Sequence, residues 1–374
     1  MTCSPSFHNR NIVHQAGGYA FPMERELKDH MNNSNHLAAI APILKHYLVE
    51  PQFVEDFGSV LKVYSNKGTF ALKKIDPTTG TDFIRHVHLL YQKGFNRIVP
   101  IYPTMDGRYA ILHENDLYYL MPWMSNEQKE DREHRNQQLF RELARLHTLS
   151  AKEITLDKEE RTEHYEKTLQ QHEKHQEFLD GFIDECEKKT YMSPFELLFC
   201  LYYNEISQAL KFSKTKFEEW YEKTKDNEKA RMVITHGKLS PEHFLYDDKG
   251  YGYFINFENA RYGSPIHDLL PYLSRALNTN PKRSDTAIDW VYHYFKYFPF
   301  KADEKLLFFS YLALPIPIIQ VAESYYRKER PKNELKYVRQ LQHRYWHLKN
   351  SEYVVMRMTE IDAQSAAKEG AQQQ

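Results

Sequence analysis

Alternating apolar and polar positions mark the N-terminal part of the chain as a region of short β-strands. From Gln52 to Met124 the apolar runs are brief, and Phe57–Tyr64 and Thr69–Ile75 alternate with a period of two on either side of a Ser-Asn-Lys-Gly turn. These two runs predict a β-hairpin. Ile98–Tyr102 and Leu117–Met124 are further predicted strands.

The remainder of the chain has apolar residues at helical spacing. Helices are predicted over Leu37–Leu48, Asp82–Gln92, Gln137–Leu149, Lys152–Lys189, Pro194–Thr224, Asp289–Tyr297, Lys305–Arg330 and Asn333–Met358. The charged run Lys152–Lys189 is typical of a solvated helix face, with a partner-binding insertion as the alternative. Pro194–Thr224 is amphipathic and is expected to pack beneath the loop that begins at His236.

These patterns divide the chain into four parts. Residues 1–36 are polar and weakly periodic, and they predict an irregular N-terminal arm. Residues 37–121 form a β-rich lobe, and residues 122–362 form a helical lobe. The small polar residues of 363–374 predict a flexible tail.

Charge and composition exclude several classes of function. The 374 residues carry 50 basic and 51 acidic side chains, so there is no overall signature of nucleic-acid binding. The three cysteines are far apart and suit neither a disulfide framework nor a zinc site. The first residues lack an apolar signal core, which predicts synthesis in the cytoplasm without a signal peptide. The apolar run Leu306–Ala322 is interrupted by Pro315 and Pro317, so we expect a buried helical hairpin and no membrane insertion.

The most specific motif of the chain lies between Val233 and Leu270. Its positions are His236, Gly237, Leu239, Leu245, Ile255, Phe257, Glu258, Ala260, Gly263, Pro265, Asp268 and Leu269. The pattern resembles the active-site segment of the aminoglycoside and choline phosphotransferases, a small-molecule branch of the protein-kinase-like fold. This resemblance implies an α+β, bilobal architecture with a small β-rich N-lobe and a large helical C-lobe.

Three positions at which that family carries its catalytic groups differ here. Lys238 replaces the aspartate that orients the attacking hydroxyl, His243 replaces a metal-binding asparagine, and Asn256 replaces a metal-binding aspartate. The site is therefore about three charge units more positive than in the catalytic members, two from position 238 and one from position 256. Because magnesium prefers oxygen ligands that include carboxylates, we expect no metal site, no catalytic residues and no cofactor.

Three of the matching positions carry titratable side chains. His236, Glu258 and Asp268 stand where the family pattern places them. Glu258 is no replacement for the lost ligands, because the family carries its own glutamate at this position.

The resemblance also suggests where a nucleotide would contact the first lobe. Phe-Ala-Leu-Lys at 70–73 resembles the strand that carries the phosphate-gripping lysine of kinase-like folds. Period-two alternation places Lys73 and Lys74 on opposite faces, with Lys74 toward solvent. Met121 to Trp123 corresponds to the hinge whose backbone would meet an adenine, and a buried aromatic strand explains the same residues equally well.

Two further features weaken the case for nucleotide binding. A loop that cradles phosphates needs several glycines, whereas the stretch from Glu55 to Lys62 contains only Gly58. In active relatives a glutamate on the following helix pairs with the strand lysine, but no acidic residue lies between Phe83 and Lys93.

A narrower resemblance points to the spore-coat branch of these proteins, the CotS family of endospore-forming bacteria. It rests on the Phe-Ala-Leu-Lys strand, on the Gly-Phe-x-Arg-Ile-Val-Pro segment at 94–100 and on the motif after His236. It implies localisation in the spore coat and a role in coat assembly with other coat proteins.

Two functions remain open on the sequence alone. The first is a kinase-like scaffold without catalysis, a pseudokinase, whose positive inter-lobe cleft could hold an anionic small molecule. The second is an atypical ATP-dependent phosphotransferase acting on a small molecule, a sugar or a coat protein. In that alternative Lys238 and His243 would grip phosphate and Glu258 would take a magnesium ion.

Overall fold

The computed structural model describes residues 36–124, 126, 132–327 and 333–372. The predicted N-terminal arm, up to residue 35, lies outside the described residues. The chain forms two compact units. Unit 1 contains residues 36–77 and 100–123, and unit 2 contains residues 78–99 together with the described residues from 124 onward.

Unit 1 is an antiparallel sheet with one helix. Helix α1 (His36–Lys45) precedes five strands. The strands are β1 (Pro51–Asp56), β2 (Val60–Ser65), β3 (Gly68–Ile75), β4 (Ile111–His113) and β5 (Asp116–Pro122), and their order in the sheet is β1-β2-β3-β5-β4. The apolar side chains that α1 and the sheet bury against each other form one core. Its members are Ile40, Ile43, Leu44, Val49, Val54, Leu61, Val63, Leu72, Ile111 and Leu120.

The predicted hairpin is confirmed as β2 and β3. Leu61 pairs with Leu72, and the turn closes where Ser65 pairs with Gly68, which has a φ of +121°. Two other expectations for this region need correction. The alternation did not single out β1 as a separate strand. The expected strand Ile98–Tyr102 consists of two isolated bridges, at Ile98 and Tyr102, because Pro100 and Pro103 cannot donate to a ladder.

Unit 2 is mainly helical. Its helices are α2 (Asp82–Gln92), α3 (Arg132–Ser150), α4 (Lys158–Glu187), α5 (Pro194–Thr224), α6 (Ile266–Leu277), α7 (Thr286–Phe295), α8 (Ala302–Ala313), α9 (Ile316–Tyr326) and α10 (Glu334–Gln372). Strands β6 (Lys152–Thr155), β7 (Lys229–Thr235) and β10 (Arg261–Gly263) form a small sheet of order β10-β7-β6. Strands β8 (Phe244–Tyr246) and β9 (Gly252–Phe254) form a hairpin.

The long helices of unit 2 share a second core. Residues of α4, α5, α9 and α10 bury Leu179, Phe182, Cys186, Phe195, Phe199, Ile206, Leu210, Ile318, Ile319, Ala322, Tyr337, Leu341 and Leu348. Helix α5 packs mainly on α8, α4 and α10, and its apolar stripe is matched by the apolar faces of those helices. Its place beneath the loop at His236 stays a prediction.

The apolar run near residue 310 is the expected pair of buried helices. Ala302–Tyr326 is long and apolar enough to span a membrane, with a mean hydropathy of 1.7 over an 18-residue window, but half of that window is buried inside the protein. Helices α8 and α9 meet at Leu314 and Pro315, and Phe308 and Ile319 are fully buried.

The division into units differs from the predicted boundaries at two places. Residues 78–99, assigned above to the first lobe, belong to unit 2, where α2 packs on the segment Phe257–Asn259 and on α3. The residues from 363 onward, predicted as a flexible tail, continue helix α10 as far as Gln372. Their alanine, glutamate and lysine residues are strong helix formers, which explains the extension.

Candidate functional site

The motif between Val233 and Leu270 folds as two loops that one pair of strands brings together. Strand β7 ends at Thr235 and leads into the first loop, which contains Gly237 and Lys238. The hairpin β8–β9 follows, and the second loop runs from Ile255 to Ala260. Strand β10 then pairs with β7, with Arg261 opposite Thr235. This pairing fixes the ends of both loops at one edge of the small sheet.

Asp268, in the first turn of α6, anchors the first loop. Its side chain is fully buried and accepts hydrogen bonds from the backbone N–H groups of His236 (2.7 Å) and Gly237 (2.8 Å). A third bond comes from Nε2 of His147 (3.2 Å), whose Nδ1 lies 2.7 Å from the Tyr294 hydroxyl. Burial raises the pKa of the Asp268 carboxyl, but the hydrogen bonds from His147 and His236 outweigh it and hold that pKa below its usual range.

The imidazole of His236 connects the two loops. Its Nε2 donates to the carbonyl of Ile255 (2.7 Å), and its Nδ1 accepts from the N–H of Lys238 (3.3 Å). A carbonyl can only accept and a backbone N–H can only donate, so the ring is in the neutral Nε2–H form. Burial lowers the pKa of His236, which favours the same neutral form.

Gly237 lies where no side chain fits. Its φ is +76°, and a Cβ at this position would come within 2.3 Å of the backbone oxygen of Asn259. The close approach of the two loops therefore requires glycine.

Lys238 and His243 close the first loop on itself. The Lys238 carbonyl accepts a hydrogen bond from Nδ1 of His243 (2.7 Å), and the Lys238 side chain is exposed. The backbone carbonyl of His243 in turn accepts from the N–H of Ile255 (3.0 Å). His243 thus has a structural role in bracing the loop.

Asn256 stands at the position that the motif resemblance assigns to the family's metal-binding aspartate. Its φ of +66° and ψ of +54° place it in the left-handed region, which asparagine and aspartate tolerate better than other side chains. Glu258 follows in a short turn of 3₁₀-helix, Phe257–Asn259. The backbone geometry suits an Asp or Asn, but the amide of Asn256 brings no negative charge.

The residues of these loops do not fit a magnesium-bound nucleotide. Lys238, at the predicted position of a carboxylate, is an exposed cationic side chain, Nδ1 of His243 is used by the loop itself, and Asn256 is neutral. Among the described residues, no group of three or more His, Cys, Asp or Glu side chains is arranged to share a metal ion.

In unit 1, the strand lysines face as period-two alternation predicts. Lys73 is 8% exposed, with Nζ 5.9 Å from the centre of the Tyr119 ring. Lys74 is half-exposed and pairs with Asp116 at 2.6 Å. The phosphate-gripping role of Lys73 remains a prediction.

The segment predicted to meet an adenine offers few backbone donors. Met121 pairs with Ala71 across the sheet, Pro122 has no N–H, and the N–H of Trp123 donates to the carbonyl of Thr69 (3.0 Å). The Trp123 ring stacks on Phe57 at 5.8 Å. This segment therefore has the features of an aromatic strand end.

The loop between β1 and β2 is also ill-suited to phosphate. The N–H of Gly58 donates to the carboxylate of Asp56 (2.6 Å), and the N–H of Phe57 donates to the carbonyl of Val60 (2.9 Å). Both of these donors are occupied, and the carboxylate of Asp56 adds a negative charge to the loop, which repels phosphate.

Three residues outside the Val233–Leu270 motif support the first loop, and of these the sequence analysis singled out only His147, in the Leu-Ala-Arg-Leu-His string at 143–147 that resembles the phosphotransferase helix before the catalytic loop. His147 and Tyr294 hold Asp268 from α3 and α7, and the guanidinium of Arg275 donates to the carbonyl of Leu239. For His147 the sequence signal was its position on the apolar face of α3, beside Leu143 and Leu146.

Comparison with models of protein families identifies the family to which this chain belongs. The model of the phosphotransferase enzyme family, APH, matches residues 55–297, which is more than half of the chain. The chain belongs to this family. The matched region of this APH-family protein contains both loops, Asp268 and the strand of Lys73.

Solved structures agree with this family's fold. An aminoglycoside phosphotransferase from Alicyclobacillus acidocaldarius is 16% identical, with a TM-score of 0.62 over 84% of this chain and 93% of that one. A spectinomycin phosphotransferase in complex with AMP is 13% identical, with a TM-score of 0.51 over 86% and 98%. No curated protein matches the APH-family chain in sequence. The bilobal, kinase-like α+β fold predicted from the motif is confirmed.

Proposed function

We propose that this APH-family protein is catalytically degenerate and works by binding other proteins, as a structural or assembly component of the bacterial spore coat. The observation that carries the loss of catalysis is the exposed ammonium of Lys238 at the position of the family's base. A lysine that is protonated at neutral pH donates hydrogen bonds and cannot accept the proton of an attacking hydroxyl.

The preserved framework supports a role for the fold itself. Asp268 still accepts three hydrogen bonds, and Gly237 still occupies its left-handed position. The groups that hold the loop in place are therefore retained, whereas the side chains that would carry the chemistry are changed. Such a pattern is typical of a fold that serves as a binding scaffold.

The assignment to the spore coat rests on the resemblance to the CotS family. That resemblance includes the strand ending in Lys73, the segment 94–100 and the motif after His236. The partners proposed from it are other coat proteins.

A complementation experiment tests this proposal. A strain lacking the protein is expected to assemble an altered coat, and chains carrying Lys73→Ala or Lys238→Ala should restore the coat as well as the unmodified chain does. The matched control is Lys67→Ala, at the exposed hairpin turn of unit 1. If either variant fails while the control succeeds, the scaffold proposal is wrong. Absence of the protein from detergent extracts of purified coats would rule out the location.

The second candidate is an atypical phosphotransferase, and family membership is the observation that favours it. Lys238 and His243 would then bind phosphate and Glu258 a metal ion. Release of inorganic phosphate from ATP, abolished by Lys73→Ala and by Glu258→Gln, would support this alternative against the scaffold.

A further inference from the structure

Helix α5 lies between α4 and α10 in one layer of unit 2. On one side, the hydroxyl of Tyr203 donates to the carboxylate of Asp180 on α4 (2.6 Å). On the opposite side, the ring of Tyr202 stacks on the ring of Tyr345 on α10, with ring centres 3.6 Å apart. The inner side of α5 packs on α8. The outer side of this layer, which we call the three-helix face, is formed by residues 173–187 of α4, 194–211 of α5 and 335–349 of α10.

The middle of the three-helix face is apolar. Leu197 and Leu201 lie one helical turn apart on the outer side of α5, and they are 54% and 67% exposed. Leu335, at the start of α10, is 58% exposed. It lies near them, because the N–H of Phe195 donates to Glu334 (3.0 Å) and so joins the starts of the two helices. Single exposed leucines are common on protein surfaces, whereas a group of them on one face is typical of a contact surface.

Opposite charges flank the exposed leucines. The side of α4 next to α5 carries five exposed acidic residues at the spacing of one helix face. They are Glu173, Glu177, Asp180, Asp184 and Glu187. On the other flank, the stretch 335–349 of α10 has four Lys or Arg residues and no acidic residue, and Lys336 and Arg339 among them are exposed. The three-helix face is therefore negative on one side of the leucines and positive on the other.

This charge pattern is complementary to a second copy of the same face. Two identical faces in contact are related by a twofold axis that lies in the plane of contact. When that axis runs along α5, the two α5 helices meet, and the acidic α4 of each copy lies over the basic α10 of the other. An axis that runs across α5 would place α4 over α4, so that acidic residues repel each other. The charges therefore favour the first arrangement.

Contacts along α4 show how far its acidic residues lie along α5. Lys189 pairs with Glu196 at 2.5 Å, whereas Asp180, earlier in α4, contacts the later α5 residue Tyr203. The two helices are therefore antiparallel. Asp184 lies near the middle of this stretch of α4, so it is level with the exposed leucines of α5.

Contacts along α10 give the same level for its basic residues. The start of α10 lies beside the first turn of α5, and Tyr345 stacks on Tyr202 further along both helices, so α10 and α5 are parallel. Arg339 lies near the middle of this stretch and is also level with the exposed leucines. Rotation about an axis along α5 leaves every residue at its own level. Arg339 of each copy therefore meets Asp184 of the other copy.

The three-helix face is large enough for such a contact. A helix is about 10 Å wide and 15 residues of it are about 22 Å long, so three adjacent helices cover about 700 Å². Specific interfaces bury about 800 Å² of each partner. Because ion pairs at exposed positions add little affinity, the leucines supply most of the attraction and the charges fix the arrangement.

We propose that the three-helix face binds a second copy of this chain and forms a twofold dimer. In this dimer α5 lies on α5, and α4 of each copy lies on α10 of the other. The proposal uses no residue of the loops at 236–260, so it is independent of the scaffold function proposed above and of any phosphate transfer.

Sedimentation equilibrium of the full chain over a range of concentrations tests the dimer. We expect the unmodified chain to show a monomer–dimer equilibrium with a dissociation constant in the micromolar range. Leu201→Asp places two carboxylates against each other at the twofold axis, so this variant should remain monomeric at about 100 µM. The matched control is Lys368→Glu, an exposed position about eight turns further along α10 than Arg339, which should dimerise as the unmodified chain does. Circular dichroism confirms that each variant is folded.

Exchange of charges tests the arrangement of the two copies. Arg339→Glu alone and Asp184→Arg alone should each weaken the dimer about tenfold, because the like-charge contact occurs twice in a twofold dimer. An equimolar mixture of these two variants has opposite charges at both contacts, and it should dimerise about as strongly as the unmodified chain. The proposal is overturned if the unmodified chain is monomeric at all concentrations, if Leu201→Asp dimerises as the unmodified chain does, or if the mixture associates no better than either variant alone.

Discussion

The side chains of the motif fall into two groups that differ in what they contact. Asp268 and His236 are buried, and these two residues and Gly237 are each held by hydrogen bonds or by a close backbone approach. Lys238 is exposed, and the motif resemblance predicts that it replaces the base of the catalytic members. The stability of the loop depends on Asp268, His236 and Gly237. The side chain at position 238 could therefore change without loss of the fold.

Asp268→Asn should destabilise the protein by about 3 kcal/mol, because an amide presents a donor to at least one of the N–H groups that the carboxylate now satisfies. Urea denaturation measures the free energy of unfolding. The control is Tyr294→Phe, which removes only the hydroxyl next to His147 and should cost about 1 kcal/mol. Equal losses for the two variants would contradict the anchoring role of Asp268.

Gly237→Ala should cost about 3 kcal/mol, because the left-handed backbone and the contact with Asn259 both penalise a Cβ. Gly94→Ala is the matched comparison in the same unit, since its φ is +83° and a Cβ there meets no atom within 4 Å. That substitution should cost only about 1 kcal/mol. A Gly237 variant as stable as the Gly94 variant would mean that the two loops can separate at little cost.

At the level of single residues, the sequence predicted the residues of the motif well but predicted poorly which side chains hold them in place. Strand periodicity was enough to separate buried Lys73 from half-exposed Lys74. The contacts of His147, Tyr294 and Arg275 join residues far apart in the chain, and no local pattern encodes such contacts. The spacing of the motif therefore predicted which residues lie at the loops but not which residues hold them.

Helix boundaries were predicted best where the sequence carries explicit end signals. Helix α5 begins and ends at the predicted residues, Pro194 and Thr224. The Ser193 side chain accepts from the N–H of Glu196, and the Glu196 carboxylate accepts from the N–H of Ser193. Where such signals are weaker, tertiary contacts decided the outcome: the first residues of the predicted helix Lys152–Lys189 form β6, paired with β7. Residues 78–99 likewise belong to unit 2, because α2 packs on elements that lie far away in the sequence. The local periodicity of the sequence does not encode such contacts.

Ser193→Ala should reduce the free energy of unfolding by about 1 kcal/mol, because the first turn of α5 loses its side-chain cap. Ser193→Thr keeps the hydroxyl and should stay within about 0.5 kcal/mol of the unmodified chain. Guanidinium denaturation followed by circular dichroism at 222 nm compares the two. An alanine variant as stable as the threonine variant would show that packing against α10, and not the cap, fixes this helix start.

Several histidines in different parts of the protein are buried, and burial favours their neutral form. Burial lowers the pKa of His86, His164, His172, His236, His293 and His347 from the ordinary value of 6.5. A lowered pKa means that the unfolded chain binds protons before the folded one does as the pH falls. The stability these groups contribute is complete above pH 6.5 and is lost progressively below it.

The free energy of unfolding should therefore decrease between pH 7.5 and pH 5.5, with most of the loss below pH 6.5. Urea denaturation at several pH values in one buffer mixture of constant ionic strength measures it. Stability that stays level or rises toward pH 5.5 would contradict the burial of these imidazoles.

The central claim is that a phosphotransferase fold has kept its framework while the groups that would hold a magnesium-bound nucleotide have been replaced. The most direct test is the melting temperature with ATP, with and without magnesium or manganese, for the unmodified chain and for the double variant Lys238→Asp with Asn256→Asp. A ligand at 100 times its dissociation constant adds about 2.7 kcal/mol of stability, which such a measurement detects readily. We predict no metal-dependent shift for the unmodified chain and a clear one for the double variant. A magnesium-dependent shift of the unmodified chain would contradict the account.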